Sequence, residues 1–232
     1  MKVMTFNTQH CLNFVERRID FDIMADAILG YSPDIVGLNE MRSVGTGEGY
    51  EHFQVKELAR RTGMHHFYFA RAINTAKGPY GNGFLSKRPI LCVENIPIPD
   101  PAERVYQHHY ETRCILKAEL EGGITVLVTH MGLNPDEQAN AVQTVLQNLS
   151  AEKCILMGDF NMRPDNPILA PIFDRMTDAA AGFCADKLSF PSDSPDRKID
   201  YIFVSRDIEV VDADIPAIVA SDHRPHTAML KV

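Results

Sequence analysis

Polar side chains that could do hydrolytic chemistry follow several short apolar runs of this sequence. The run at residues 154–157 leads into Gly-Asp-Phe-Asn, and the run at residues 124–128 leads into Thr-His. Six such side chains stand out: Glu40, His130, Asp159, Asn161, Asp222 and His223. Carboxylate, carboxamide and imidazole groups at the rim of a core are the set needed for metal-assisted attack of water on a phosphoester. The pattern therefore predicts an enzyme.

One residue separates the side chains of Asp159 and Asn161. If the strand end is extended, both side chains point to the same side. A carboxylate placed there can accept a hydrogen bond from an attacking water, and a carboxamide can donate to a phosphate oxygen. The alternative is an Asx-type turn, which Asp and Asn often form after a strand.

Helical periodicity marks two segments in the first third of the chain. Residues 20–31 carry an apolar stripe, with Asp20 as a suitable N-cap and Ser-Pro at 32–33 as a stop. A second helix is predicted around residues 58–62, and Gly63 is placed to end it.

Two further helices are predicted in the second half of the chain. A helix over residues 135–149 should begin with a capping box formed by Asn134 and Glu137. A short helix is predicted near residues 168–176.

Strand signals outnumber helix signals. The predicted strands are residues 3–6, 35–38, several between 67 and 120, 124–128, 154–157, 201–204, 208–211 and 227–230. A chain of 232 residues with no repeat and no clear linker is most economically one domain, residues 1–232. Strands with a few helices on their outer faces predict an α+β sandwich.

Composition and charge indicate which classes of partner the protein can bind. The chain has 23 basic and 31 acidic residues, a formal net charge of −8, so it lacks the basic field typical of nucleic-acid binders. No apolar run approaches the roughly 18 residues of a membrane helix. Because strand signals start at Met1, we expect no signal peptide and a cytoplasmic location. The five cysteines form no CxxC pair and are predicted to be reduced core residues: Cys11, Cys92, Cys114, Cys154 and Cys184.

Seven short motifs occur in one order along the chain. They are Thr5-Phe6-Asn7, Gly37-Leu38-Asn39-Glu40, Gly81-Asn82-Gly83-Phe84-Leu85-Ser86, Thr129-His130, Gly158-Asp159-Phe160-Asn161, Lys198-Ile199-Asp200-Tyr201-Ile202 and Ser221-Asp222-His223. With them the sequence resembles the endonuclease/exonuclease/phosphatase superfamily, which includes deoxyribonucleases, AP endonucleases, sphingomyelinases and inositol polyphosphate 5-phosphatases. The resemblance implies a four-layered α/β sandwich, in which two packed mixed sheets are flanked by helices.

The resemblance also implies roles around a Mg²⁺ or Mn²⁺ ion. Glu40 would be the main metal ligand, Asn7 would support Glu40 or the metal's water, and Asp222 would contact the metal or the attacking water. Asp159 and Asn161 would orient the nucleophile and hold the phosphate.

Two histidines receive catalytic roles from the same resemblance. His223 would pair with Asp200, whose carboxylate fixes the imidazole tautomer and favours its charged form. His130 would stabilise charge on the phosphoryl oxygens. The other histidines considered are predicted to be structural: His52, His65, His66, His108 and His109.

Three more residues are candidate substrate contacts, each with a structural or solvated role as an equal alternative. Asn82 resembles the position where the deoxyribonuclease branch has a glutamate beside the His130 site. Arg113 resembles an arginine that approaches the substrate phosphate. His10 resembles a histidine that follows the first strand in small bacterial members.

Departures from the family patterns bear on the substrate. Gln9 and His130 stand where AP endonucleases carry an acidic residue and a tyrosine, and the chain has no tryptophan. Asn39 replaces the glutamine more usual before Glu40, a change that we expect to matter little.

We therefore expect hydrolysis of a small or lipid-derived phosphomonoester or phosphodiester, with Mg²⁺ or Mn²⁺ and without a covalent intermediate. A nuclease acting on DNA or RNA is the alternative enzyme, and a catalytically silent binding module is the alternative of another class. No obligate protein partner is evident.

Overall fold

Two six-stranded β-sheets form the centre of the computed structural model, which describes residues 1–232. The strands of the first sheet are β1 (Lys2–Asn7), β2 (Ile35–Arg42), β3 (His66–Thr75), β4 (Gly78–Ser86), β11 (Glu209–Asp214) and β12 (His226–Lys231). Those of the second sheet are β5 (Ile90–Pro97), β6 (Cys114–Leu120), β7 (Ile124–His130), β8 (Cys154–Asp159), β9 (Met176–Asp178) and β10 (Asp200–Ser205). Their orders are β11-β12-β1-β2-β4-β3 and β5-β6-β7-β8-β10-β9.

Each sheet has one parallel pair among antiparallel ones. Strand β1 runs parallel to β2, and β7 runs parallel to β8. The expectation of two packed mixed sheets is therefore confirmed. The parallel strands carry near-continuous apolar runs because both of their faces are buried.

The core has an inner layer between the sheets and two outer layers under the helices. Val3 and Ile35 of the first sheet pack with Val128 and Ile155 of the second. Alternate residues of β1, such as Met4, point to the outer face instead. Every face of the sandwich is thus anchored by apolar contacts, which hold the strand ends in fixed positions.

Helices cover both outer faces. They are α1 (Phe21–Leu29), α2 (Gln54–Thr62), α3 (Pro135–Asn148) and α4 (Ala170–Phe173). Helices α1 and α2 pack Met24 and Leu58 against the first sheet. Helix α3 packs Val142 and Val145 against the second sheet. The four-layered sandwich follows from these contacts.

The predicted helix caps are confirmed, although α1 ends at Leu29 and not at Tyr31 as predicted. Asp20 Oδ1 accepts hydrogen bonds from two N–H groups in the first turn of α1. Gly63 ends α2 with φ of 69°, a left-handed conformation that glycine adopts without strain. At the start of α3, Glu137 Oε2 accepts the N–H of Asn134, as a capping box requires.

Two local predictions are wrong. The helix expected near residues 168–176 is only α4, preceded by a 3₁₀ turn at Pro167–Leu169, because Met176 leaves it to pair with Ser205 as part of β9. Four cysteines are buried and free, but Cys92 is exposed on β5, an edge strand of the second sheet. No helix in the structure combines the length and the apolar character needed to cross a membrane.

Candidate active site

Strand register brings the candidate residues together at one end of the sandwich. Across the second sheet, His130 is in register with Asp159, and Asp159 is in register with Asp200. From the first sheet, Asn7 reaches over to donate its Nδ2 to Asp159 Oδ2 at 3.0 Å. The site is therefore built by both sheets, and its residues come from distant parts of the chain.

The Asp159 carboxylate is the centre of the site. It is almost completely buried, and its Oδ2 lies 3.5 Å from His130 Nε2 and 3.6 Å from His223 Nε2. Burial raises the pKa of Asp159, and the nearby Asp200 carboxylate acts in the same direction. A carboxylate between two imidazoles is placed to accept a hydrogen bond from a water.

The predicted pair of His223 and Asp200 is formed. His223 Nδ1 lies 2.8 Å from Asp200 Oδ2, which leaves Nε2 free to face the site. Burial by itself lowers the pKa of His223, but the carboxylates of Asp200 and Asp159 outweigh it and raise the pKa. The two carboxylates therefore favour the charged form of the imidazole.

His130 has a different partner, the guanidinium of Arg113. Arg113 Nη1 lies 3.1 Å from His130 Nδ1, and Glu111 Oε1 holds Arg113 at 2.5 Å. Because arginine can only donate, Nδ1 must accept, and the proton of the neutral ring is on Nε2. Burial lowers the pKa of His130, and the positive charge of Arg113 lowers it further. His130 is thus a neutral donor pointing at Asp159.

Glu40 was predicted to lie at the end of its strand, but it does not. It lies within β2 at a β-bulge between Leu38 and Met41, with φ of 61°, and the bulge sends its side chain to the site. Its Oε1 accepts Asn7 Nδ2 at 3.1 Å, and its Oε2 lies 3.8 Å from His10 Nδ1. Burial acts to raise the pKa of Glu40, but His10 and the other nearby donors reverse this, so the carboxylate stays ionised.

Asp222 lies beside the same group of charges. Ser221 Oγ donates to its Oδ1 at 3.0 Å. Burial raises the pKa of Asp222, with the charges of Glu40 and Asp200 adding to the effect and His223 opposing it.

The strand end after Asp159 is an Asx-type turn and not an extended tip. Asn161 has φ of 51°, and its N–H donates to Asp159 Oδ1 at 2.9 Å. The Asn161 Nδ2 donates to the carbonyl of Met131. The turn removes the reason for expecting both side chains on one side, although Asn161 and His223 still line the same cavity.

Two asparagines, Asn39 and Asn82, form hydrogen bonds that link the two sheets next to the site. Asn39 Oδ1 accepts the N–H of Asp159, and its Nδ2 donates to the carbonyl of Thr129 and to Asn82 Oδ1, each at 2.9 Å. Asn82 Nδ2 donates to the carbonyl of Cys114. The Asn39 side chain therefore holds the Asp159 backbone, and the expectation that asparagine serves here as well as glutamine stays a prediction. Asn82 is buried with its amide committed to these contacts, which favours the structural alternative.

The donor set fits a hard divalent cation. Glu40, Asp159 and Asp222 supply carboxylate oxygens of the kind that Mg²⁺ and Mn²⁺ prefer. Asp200 Oδ1 is buried without a hydrogen-bond partner. The ligand atoms of Asp159, Asp200 and His223 lie within 4.8 Å of one another. Burial raises the pKa of Asp159 and Asp222, and neighbouring carboxylates act in the same direction at both groups.

Sequence reasoning did not predict the roles of Glu111 and of the Asn39 side chain. Glu111 stands two positions before Arg113, and that spacing was the one local signal for their ion pair. Asn39 acts across the gap between the sheets, so no neighbouring residue could have indicated its partners.

Comparisons with known proteins agree on the fold. A sequence model described as the Endonuclease/Exonuclease/phosphatase family matches residues 4–223. The crystal structure of an endonuclease/exonuclease/phosphatase from Beutenbergia cavernae DSM 12333 superposes with a TM-score of 0.79 at 22% identity, covering 100% of this chain and 71% of that one.

Two further solved structures have stated activities or ligands. A mannosyl-6-phosphatase from Bacteroides thetaiotaomicron VPI-5482 has a TM-score of 0.75 at 16% identity, with 100% of both chains covered. TDP2 from D. rerio, complexed with a single strand DNA product, has a TM-score of 0.70 at 18% identity, covering 100% of this chain and 99% of that one. A search of curated proteins finds no match. These identities establish the fold and leave the substrate open.

Proposed function

Because the chain belongs to the endonuclease/exonuclease/phosphatase family, we propose that it hydrolyses a phosphoester of a small molecule by direct attack of water. The observation that carries this proposal is the buried Asp159 carboxylate with Oδ2 between His130 and His223. Metal-dependent phosphoester hydrolysis is the chemistry of the family, and the complete set of polar groups argues against a silent binding module.

Each residue of the site has a separate role in the hydrolysis. Asp159 accepts the proton of water as the water oxygen bonds to phosphorus, and the bond from phosphorus to the leaving oxygen breaks. The leaving oxygen takes a proton from solvent, giving the alcohol and phosphate. Neutral His130 donates from Nε2, and charged His223 offsets negative charge on the phosphoryl oxygens. Asn161 remains a proposed phosphate contact.

The metal site is part of the proposal. Glu40 and Asp222 would hold Mg²⁺ or Mn²⁺, and Asn7 orients the carboxylates of Glu40 and Asp159. Such an ion supplies charge neutralisation for the phosphate and a lower pKa for water. Arg113 is engaged with His130 and Glu111, so we assign it an indirect role rather than a phosphate contact. His10 beside Glu40 belongs to the metal site rather than to the substrate.

A nuclease is the second candidate. The DNA product in the TDP2 structure supports it, and the mannosyl-6-phosphatase supports the first candidate. The net charge of −8 favours a small substrate, because phosphate neutralisation by basic residues dominates nucleic-acid affinity.

Release of phosphate or alcohol from an aryl phosphoester, measured with Mn²⁺, tests the function. We expect turnover by the native protein and a loss of about 10²–10⁴-fold in Asp159→Asn. Asp165→Asn is the matched control, because Asp165 is an exposed carboxylate in the following loop. Absence of turnover on every ester in the presence of Mg²⁺ or Mn²⁺ would refute the proposal.

Two parallel measurements separate its parts. Calorimetry of Mn²⁺ with Glu40→Gln should show weakened binding, and unchanged affinity would remove Glu40 from the metal site. Nicking of plasmid DNA at catalytic enzyme concentrations, lost in Asp159→Asn, would establish the nuclease in place of the small-molecule enzyme.

A further inference from the structure

A cavity of about 360 Å³ adjoins the candidate site, since His223 and Asn161 are among its lining residues. Its walls come from three separate segments: His108 in the loop after β5, Leu133 in the turn after β7, and residues of the segment between β9 and β10. This third wall contains Phe190, Arg197 and Ile199. A group attached to a phosphate at His223 would extend into this space.

The wall at Phe190 is held rigidly to the site. The Phe190 N–H donates to the Arg197 carbonyl, and the Arg197 N–H donates back to the Phe190 carbonyl. The next segment is tied to the His223 loop, since the Ser192 N–H donates to the Asp222 carbonyl at 2.7 Å. The Phe190 ring lies 4.7 Å from the His223 ring, measured between centroids. A rigid wall at this position can select among substrates without an ordering cost.

The opposite wall is also fixed. The His108 N–H donates to Asn134 Oδ1 at 3.1 Å, and Asn134 Nδ2 donates to the His108 carbonyl at 3.2 Å. These bonds attach the loop to the start of α3. Leu133, next to Asn134, is 44% exposed and presents an apolar surface towards the cavity.

The charges of the cavity disfavour a second anionic group on the substrate. Arg197 is its one permanently charged lining residue, and Asp196 holds that guanidinium through Nε at 2.5 Å and Nη2 at 3.0 Å. The arginine also lies over the Phe190 ring, with Cζ 5.4 Å from the centroid. Because Asp196 already pairs with Arg197, the cavity offers a second phosphate no unpaired arginine or lysine.

The lining mixes apolar and polar surfaces. Phe190, Leu133 and Ile199 offer apolar contacts, whereas His108 and the guanidinium of Arg197 offer polar edges. A long acyl chain needs a continuous apolar lining, which this cavity lacks. Its volume is near the lower end of the roughly 300–1,000 Å³ of small-molecule sites. A hydroxylated ring with one apolar face fits both the size and the mixed lining.

We propose that this cavity holds the alcohol of the substrate, and that this alcohol is a single sugar-like ring, so that the substrate is a sugar monophosphate. The inference rests on the proposed function. It adds that Phe190 and Leu133 select the leaving alcohol, and that water replaces the ring alcohol at phosphorus to give the free sugar and phosphate.

Phosphate release from three monoesters tests it, with Mn²⁺ and the native protein: a hexose 6-phosphate, a straight-chain alkyl phosphate and a nucleoside 5′-monophosphate. We expect kcat/KM for the hexose phosphate to exceed that for the alkyl phosphate by about tenfold or more. A preference for the nucleotide would instead overturn the assignment to a single sugar-like ring.

Variants connect this preference to the cavity. Leu133→Ala should reduce the ratio of kcat/KM between hexose and alkyl phosphates, mainly through KM of the hexose phosphate. Leu91→Ala is the matched control, because Leu91 is also an exposed leucine but lies on β5 away from the site. Phe190→Leu should reduce the same ratio. An unchanged ratio in both cavity variants would overturn the inference.

The two proposals fail in different ways. If no ester releases phosphate, the proposed function is refuted together with this inference. If all three esters are hydrolysed with similar kcat/KM, the phosphoesterase stands and the sugar-binding cavity is refuted. Calorimetric binding of the hexose phosphate to Asp159→Asn adds a readout without turnover, and it should be tighter than binding of the alkyl phosphate.

Discussion

The pairing of Arg113 with His130 makes a specific prediction about protonation. In the native protein His130 should stay neutral, with its proton on Nε2, because Arg113 donates to Nδ1 at 3.1 Å. Replacing Arg113 by methionine removes both the donor and the charge while keeping an unbranched apolar chain. The pKa of His130 should therefore rise, and the proton of the neutral ring is no longer confined to Nε2.

The size of the shift follows from the distances. A like charge about 4–6 Å away changes a pKa by about 1–3 units. Two unit charges 4 Å apart interact by about 4 kcal/mol at an effective dielectric constant of 20, which sets the upper end of that range. Glu111 loses its partner in the same variant, and its carboxylate also favours a charged imidazole. We therefore expect an increase of about 1–3 units in the pKa of His130.

Nitrogen NMR of the histidine rings in metal-free protein measures both quantities. The native spectrum should show an unprotonated Nδ1 and a protonated Nε2 for His130 from pH 5 to about pH 8. In Arg113→Met the pKa of His130 should be higher than in the native protein, while burial continues to lower it. Arg71→Met is the control, since Arg71 is an exposed arginine on β3. A native ring protonated at Nδ1, or a pKa of His130 unchanged in Arg113→Met, would refute the reasoning.

Three further outcomes are expected. Losing the imidazole in His223→Ala or the carboxylate in Asp200→Asn should reduce kcat by similar factors. The effect of the double variant on kcat should be smaller than the two single effects combined, and full additivity in steady-state kinetics would contradict their pairing. Burial keeps the folded-state pKa of His226 well below its usual value, so the unfolded chain binds more protons below about pH 6.5 and the free energy of unfolding falls there. In urea titrations at several pH values, His226→Leu should reduce the slope of that free energy against pH by up to about 1.4 kcal/mol per pH unit, and an unaltered slope would refute this. Gly158→Ala places Cβ 1.8 Å from a backbone oxygen at φ of 145°, so it should lower the free energy of unfolding by about 3 kcal/mol or more. Gly63→Ala, with no atom within 4 Å, should lower it by about 1–2 kcal/mol, and equal losses in thermal unfolding would refute the steric reason.

Local signals were sufficient for much of the fold. Capping at Asp20 and Glu137 and the glycine at position 63 depend on neighbours within a few residues, so the sequence predicts them directly. The sandwich followed from alternating apolar runs and the family resemblance. The approach of Asp159, Asp200 and His223 was predicted from motifs that lie at the ends of strands or directly before them.

Long-range contacts explain what could not be predicted. The bulge that turns Glu40 into the site depends on how β2 pairs with β4, which comes some forty residues later. The family resemblance made Arg113 a candidate phosphate contact with a structural role as the equal alternative, and its contact with His130 could not be predicted because it arises only when β6 and β7 pair. The cavity joins His108 to Phe190 through two separate loops, and no periodicity in the sequence marks such a meeting.

The pairing of β1 with β12 has a consequence for how activity arises during synthesis. Strand β1 supplies Asn7 to the site, and it lies between β2 and β12, with Thr5 opposite His226. On the ribosome β1 emerges well before His223 and β12, because His223 lies 216 residues after Asn7. Closing such a long loop is slow, because its entropy cost precedes the contacts that stabilise it. The candidate site therefore forms only after His223 and β12 have left the ribosome, together with the completed sheet.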